Sequence, residues 1–449
     1  MIYQMEVQSR VQGALPMNRL QTTDLNYARR FLGVLMARHQ LKPINKTQSM
    51  NQLVSPRRDI NRPIHNWHVF KHAYPKDLVD KIISILELKE GAWVLDPFCG
   101  GGTTLLTCRE NRLNSQGYDI LPFSVFLTNA KLRNYDPKIL KKLRNSFLKA
   151  NLDERVKVPR EIKEIIIIPK AYTESVLAEL WKIRDWVIRV KGEGPRAFFM
   201  LAFLNTAVAV SRVSKSGAFL RVVKKSVSSR SVRKVFLDNV DRMLIDLQGA
   251  QSAKKASTVS ASARVGDARA FSDSRKYDAV ITSPPYPNRH DYTRTYQLEL
   301  VLGFAQNNQK LKKIRYRTLR SHVEARKRFT ANGYKKPTDL VKVLERLERK
   351  ELNNPNVLEM LEGYFEDMFL VLKKLRGRLK RGGRLAIVVS NVRFAGVNVP
   401  VDTLLLDIAL SVGFYEKAIW VLRYRGNSSQ QMRDFNRKTS RESLLLLEK

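Results

Sequence analysis

The run Asp96-Pro97-Phe98-Cys99-Gly100-Gly101-Gly102-Thr103-Thr104 constrains this chain more than any other. It follows an apolar segment, Ala92-Trp93-Val94-Leu95, and leads into a stretch of helical character that includes Cys108. A strand, a glycine turn and a helix N-terminus in that order form a cradle for a nucleotide-like ligand, because free backbone N–H groups point from the helix end. Gly100 to Gly102 can take φ > 0 and leave bare backbone for a ligand to lie against. No Gly-Lys-Ser/Thr follows, which excludes a phosphate-binding loop, and the Gly-x-Gly-x-x-Gly spacing of dinucleotide sites is absent. Asp96 can accept a hydrogen bond or pair with a ligand cation. Asp119, at the end of the strand Ser115–Asp119, stands where a ribose diol would be held.

Around this turn the chain alternates. His72-Ala73-Tyr74-Pro75 opens a helix over Asp77–Leu86, and Pro122 starts another that reaches Arg133. Strands and helices at this spacing predict βαβ units and a parallel sheet for residues 61–134. The rhythm breaks over 135–262, which carries helical periodicities at Thr173–Val190 and Arg196–Val210, a β-like run at Glu164–Ile168 and a basic stretch. This reads as a helical, basic insertion and a candidate for target recognition. Alternation resumes in 263–449. A strand over Arg264–Gly266 leads to Asp267-Ala268, and one ending at Thr282 leads to Ser283-Pro284-Pro285-Tyr286. A helix over Val357–Lys380 ends at Gly382-Gly383, a strand follows over Arg384–Asn391, and a helix over Val401–Ser411 stops at Gly413. Strands at Ala418–Arg425 and Ser443–Glu448 close the chain. Residues 1–60 form an N-terminal extension whose one expected helix is Leu20–Leu41, and 305–360 is a second basic helical region.

With 81 Lys and Arg against 42 Asp and Glu, the formal charge is +39, which calls for a polyanionic partner. No apolar run approaches the ~18 residues of a membrane span, and Met1-Ile2-Tyr3-Gln4-Met5-Glu6 lacks a signal-peptide layout, so the expected partner is nucleic acid and not a membrane. Eight Lys/Arg and no acid stand between Arg212 and Lys234, and nine with one acid between Lys310 and Arg328. These are the expected phosphate-contacting runs. Cys99 and Cys108 suit neither a disulfide nor a metal site, and fit small packing residues in a reducing, cytoplasmic setting. The histidines (His39, His65, His68, His72, His290, His322) are scattered, so no metal site is expected.

Taken together, Asp96–Thr103 and Ser283-Pro284-Pro285-Tyr286 resemble the S-adenosylmethionine-dependent amino-methyltransferases of DNA. The resemblance covers about 61–134 and 263–449. It implies an α/β, Rossmann-like methyltransferase fold: a mostly parallel, seven-stranded twisted sheet with helices on both faces. It also assigns roles. The segment Phe70 to Pro75 would pack beside S-adenosylmethionine; Asp96, Pro97, Phe98, Gly100, Gly102 and Thr103 would form its cradle; Asp119 would hold the ribose; Asp267 and Ala268 would lie by the adenine. Ser283, Pro284, Pro285 and Tyr286 would be the catalytic motif. The partner would be double-stranded DNA, with a cognate restriction endonuclease in a restriction–modification or defence setting. Ser-Pro-Pro-Tyr is commoner among cytosine-N4 enzymes of this family and Asp-Pro-Pro-Tyr among adenine-N6 enzymes, so N4 of cytosine is the expected target. Adenine-N6 methylation, RNA amino-methylation, and a basic nucleic-acid-binding protein with an inactive core stand as alternatives.

Overall fold

The computed structural model describes residues 42–449 except 55, 72, 153, 216–218, 253–258, 427–433 and 436–437. The expected helix at Leu20–Leu41 lies outside the described residues, as do His39 and His72.

Eight strands form one sheet: β1 (Ile44–Asn45), β2 (Trp93–Asp96), β3 (Asn114–Asp119), β4 (Ala261–Val265), β5 (Tyr277–Thr282), β6 (Leu379–Ser390), β7 (Tyr415–Arg425) and β8 (Ser440–Glu448). Their spatial order is β1-β7-β8-β6-β5-β2-β3-β4. All neighbours are parallel except β8, which runs antiparallel to both β7 and β6. The sheet thus has one strand more than the expected seven. The extra one is the two-residue β1, whose Ile44 and Asn45 pair with Trp420 and Val421 at the outer edge. It falls within the segment expected to be an extension, and two residues carry too little pattern to betray a strand.

The strands alternate side chains between two apolar layers, as buried parallel strands require. On one face Val94, Ile281, Ala386, Val388 and Leu444 pack with Leu78, Val79 and Ile82 of helix α1 (Lys76–Ile85) and with Cys108 of helix α2 (Thr103–Glu110). On the other, Leu95, Val280, Leu385, Ile387 and Leu445 meet the two long helices that follow β5 and β6. Helix α3 (Pro122–Leu132) joins a third core, shared with α4 (Pro137–Lys149), α5 (Glu174–Arg189), α6 (Glu193–Ala209) and α7 (Val232–Ser252). Residues 64, 67 and 296–311 enter this same core, which makes it continuous with the sheet's end. Helix α6 buries Phe198, Phe199, Leu201, Ala202, Phe203 and Leu204 completely. Helices α8 (Asn308–Arg317), α9 (Thr338–Glu348), α10 (Val357–Arg378) and α11 (Val401–Val412) complete the fold. Gly413 caps α11 at φ 98°.

Two local expectations fail. Glu164–Ile168 is not β-like: two short helical turns, Arg160–Lys163 and Ile167–Ala171, occupy the region. Ile162, Ile165 and Ile168 are buried at i, i+3, i+6 while Ile166 is 70% exposed, so burial follows the helical period although isoleucine favours strands. Gly382-Gly383 does not end a helix. Helix α10 stops at Arg378, and β6 begins at Leu379 opposite Tyr277, then bulges through Gly382 (φ 69°) before Arg384 pairs with Ala279.

Candidate active site

Because β5, β2, β3 and β4 are adjacent in the sheet, their carboxyl ends carry Ser283, Asp96, Asp119 and Asp267 to one edge. This is where open α/β sheets bind ligands. A cavity there is lined by most of the expected residues: Phe70, Asp96, Pro97, Phe98, Gly100, Thr103, Asp119, Asp267, Ala268, Ser283 and Pro285. Four are not on its wall. Pro75 is buried as the cap residue before α1, Gly102 turns toward Thr128, Pro284 is buried, and Tyr286 faces a neighbouring cleft.

Asp96 forms the floor. Its carboxylate accepts from Thr104 Oγ1 and Thr282 Oγ1, each at 2.7 Å, from the Phe98 amide at 3.1 Å and from Tyr74 OH at 3.4 Å. It is 2% exposed, and burial raises its pKa while these donors oppose the rise. The donors are neutral, so a cationic ligand group reaching the floor would meet a carboxylate without a cationic partner. Asp119 accepts from the amides of Gly100 (3.0 Å) and Leu121 (2.9 Å), which splices the glycine turn to the end of β3. Burial lifts its pKa to about 6.

The glycines have distinct tasks. Gly100 (φ 47°) and Gly102 (φ 82°) need the left-handed region. Gly101 does not, but a Cβ there would approach Phe70 Cβ to 2.7 Å. Phe70 lies against the turn and stacks on Tyr296 with ring centroids 4.4 Å apart. The triple glycine therefore serves packing on Phe70 and Thr128. Cys99 and Cys108 are buried free thiols, and burial raises the pKa of both.

The wall opposite the turn had no local sequence signal. It consists of Arg317, Thr318, Leu319, Ser321 and His322, inside the run expected to meet phosphates. An ion network holds it. Arg269 clasps Asp267 in two-pronged fashion (2.9 and 2.8 Å), reaches Asp367 at 2.7 Å and donates to the Arg317 carbonyl at 2.8 Å. Arg320 binds Asp367 at 2.6 and 3.1 Å. Asp367 sits on α10 and is fully buried. Part of that basic run is thus spent inside the protein, where Arg315 pairs with Asp291 (2.9 Å) and Arg320 with Asp367, while Arg328 pairs with Glu359 at the surface. The 212–234 run is similar in part, since Arg212 donates to the carbonyls of Pro169 and Tyr172 and Lys215 pairs with the buried Glu299.

Ser283 lines both the cavity and a small adjoining space that it shares with Tyr286. Its Oγ lies 3.5 Å from the Tyr286 hydroxyl, which donates to Glu442 Oε1 at 3.1 Å. Glu442, on β8, is 5% exposed and paired with Arg423. Tyr286 forms part of a larger cleft with Asn288, Arg289 and Arg393. His322 touches both cavity and cleft, yet its ring nitrogens are engaged: Nε2 with Thr318 Oγ1 at 2.8 Å, Nδ1 accepting the Glu324 amide at 3.3 Å. Burial lowers its pKa, and its two engaged ring nitrogens make it a structural link. Glu442 and His322 escaped the sequence reading because only tertiary packing, through the sheet order for Glu442 and the 317–322 wall for His322, brings them near residue 283. Among the described residues, no group of three His, Cys, Asp or Glu could hold a metal ion, and no helix is long and apolar enough to cross a membrane.

Comparisons agree with this arrangement. The family model for DNA methylases matches residues 23–128, which include the glycine turn and Asp119. The Type II methyltransferase M.BsoBI of Geobacillus stearothermophilus is 28% identical over 90% of each chain. The Type II methyltransferase M.AvaI of Anabaena variabilis is 28% identical over 89% of each. Among solved structures, an rRNA methyltransferase, aviRa from Streptomyces viridochromogenes, overlays at TM-score 0.30 and 11% identity, covering 87% of this chain and 92% of that one, which is too loose to bear on the argument. With the glycine turn, the strand-end carboxylates and Ser-Pro-Pro-Tyr meeting at one sheet edge, and relatives aligned along nearly the whole length, the chain is similar to the DNA amino-methyltransferases.

Proposed function

We propose that this chain transfers the methyl group of S-adenosylmethionine to the exocyclic N4 of cytosine in duplex DNA, on a base swung out of the helix. One observation carries the reading: Ser283 stands on the boundary between the carboxylate-lined cavity and the space shared with Tyr286. The cavity suits the methyl donor. Asp119 would take the ribose hydroxyls, Asp96 the ammonium of the methionine part, and the Asp267–Ala268 side the adenine. S-adenosylmethionine, when bound, supplies an electrophilic methyl group on sulfur.

The remaining chemistry falls to the chain. An amino nitrogen conjugated with a base ring is a poor nucleophile, and gains strength only if rotated toward tetrahedral geometry and held in line. Ser283 Oγ and the Pro284 carbonyl can accept its two protons and stabilise the positive charge that develops. Pro284 and Pro285 fix φ and hence that carbonyl's direction. No strong base is required before attack, since the acidified proton can depart afterwards. Tyr286 offers a stacking face for the extruded base, and its bond to Glu442 fixes the ring. The hydroxyl of Ser283, where a carboxylate would suggest adenine, supports cytosine. The Type II designation of the relatives supports a restriction–modification setting with a cognate endonuclease as partner.

Purified protein given plasmid DNA and methyl-labelled S-adenosylmethionine should label the DNA. Ser283→Ala should slow single-turnover labelling by about 10²–10³, by analogy with loss of one preorganised hydrogen-bonding group. Labelling at the wild-type rate by Ser283→Ala would remove the catalytic assignment.

A further inference from the structure

Four arginines line the cleft beside Tyr286: Arg289, Arg294, Arg393 and Arg425. Two are occupied by acids. Arg294 pairs with Glu324 and lies 3.4 Å from Asp291, and Arg425 is 3.5 Å from Glu442. The cleft's own carboxylates, Asp291 and Glu324, are both engaged by Arg315 as well. Arg289 and Arg393 have no carboxylate partner among the described residues.

Backbone detail sets these two apart further. Arg289 follows the catalytic turn at φ 67°, a left-handed conformation unfavourable for a long side chain, and its amide donates to the Ser321 carbonyl at 3.1 Å. The surrounding structure therefore forces this residue into the cleft wall where relaxed backbone would not. Arg393 comes from a two-stranded ribbon, Val392–Phe394 with Val397–Val399, closed by a tight turn at Ala395 (φ 43°) and Gly396 (φ 78°). Its Nη1 donates to the Gly396 carbonyl at 3.3 Å, while its buried Nε has no hydrogen-bond partner. An unpartnered buried guanidinium N–H is costly unless an acceptor arrives.

We propose that this cleft holds the DNA backbone at the extruded nucleotide, and that Arg289 and Arg393 contact its phosphates. The proposal rests on the reading of the chain as a DNA methyltransferase. It shifts the main phosphate contact away from the long basic runs, whose charges are partly neutralised internally, to two isolated arginines beside the catalytic turn. A phosphate there would meet two guanidinium groups without a described carboxylate partner.

The test is the salt dependence of binding to a short plasmid-derived duplex, followed by fluorescence anisotropy over a KCl series. Arg289→Gln and Arg393→Gln should each reduce the log–log slope by about 0.9, one phosphate's worth of counterion release. Arg289→Lys and Arg393→Lys should keep the wild-type slope, which separates charge from fold. Lys89→Gln, exposed at the opposite edge of the sheet, serves as the control and should leave the slope unaltered. Wild-type slopes in both Gln variants would overturn the proposal, as would slopes lowered equally by the Lys variants. Loss of affinity confined to the methylated site, with slope intact, would mean base contact and would also overturn it. If the wild-type protein neither bound nor methylated DNA, the functional reading itself would fall; methylation by a wild type whose Gln variants keep the slope would fell this inference alone.

Discussion

Asp119 joins two demands at one carboxyl group. Burial raises its pKa to about 6, with the Leu121 and Gly100 amides opposing. If ribose hydroxyls donate to it, the ligand binds the ionised form better and lowers that pKa from its raised value. Cofactor affinity should therefore be flat above pH 6 and fall as pH drops through about 6, by up to tenfold per unit. Calorimetry across pH 5–8 checks this, and Asp119→Ala should both abolish the inflection and weaken binding by about 1.5–3 kcal/mol. A pH-independent affinity would move the ribose elsewhere. Asp119 was legible from its sequence distance to the glycine turn. Its bond to the Gly100 amide was not, because that depends on how the turn folds back over β3.

Among the elements, β2 and β5 with their following turns were legible because each announces itself locally: an apolar run, then Gly or Pro where the chain must bend. The 317–322 wall has no such signal. Its position depends on Arg269, Arg320 and Asp367, residues up to 98 apart in sequence that meet only because α10 packs on the sheet. Asp367→Asn should leave two buried guanidinium groups short of a counter-charge and lower stability by about 3–5 kcal/mol, measurable by urea unfolding. A loss below about 1 kcal/mol would mean that the network does not hold the wall. The internal pairing of Lys215, Arg315 and Arg320 in the basic runs was hidden for the same reason. Composition counts charges, but the acids that neutralise them, such as Glu299 for Lys215, come from distant elements.

For the whole molecule, strand order does the most. It was not readable from periodicity, yet it alone brings residues 96, 119, 267 and 283 to one edge. The formal charge of +39 suits a polyanion and is silent on which base is modified. That choice rests on Ser283, and nucleoside analysis tests it most directly. DNA labelled by the purified protein with methyl-labelled S-adenosylmethionine, digested to nucleosides and separated by mass, should carry its label in N4-methylcytosine. Label in N6-methyladenine would contradict the assignment of cytosine.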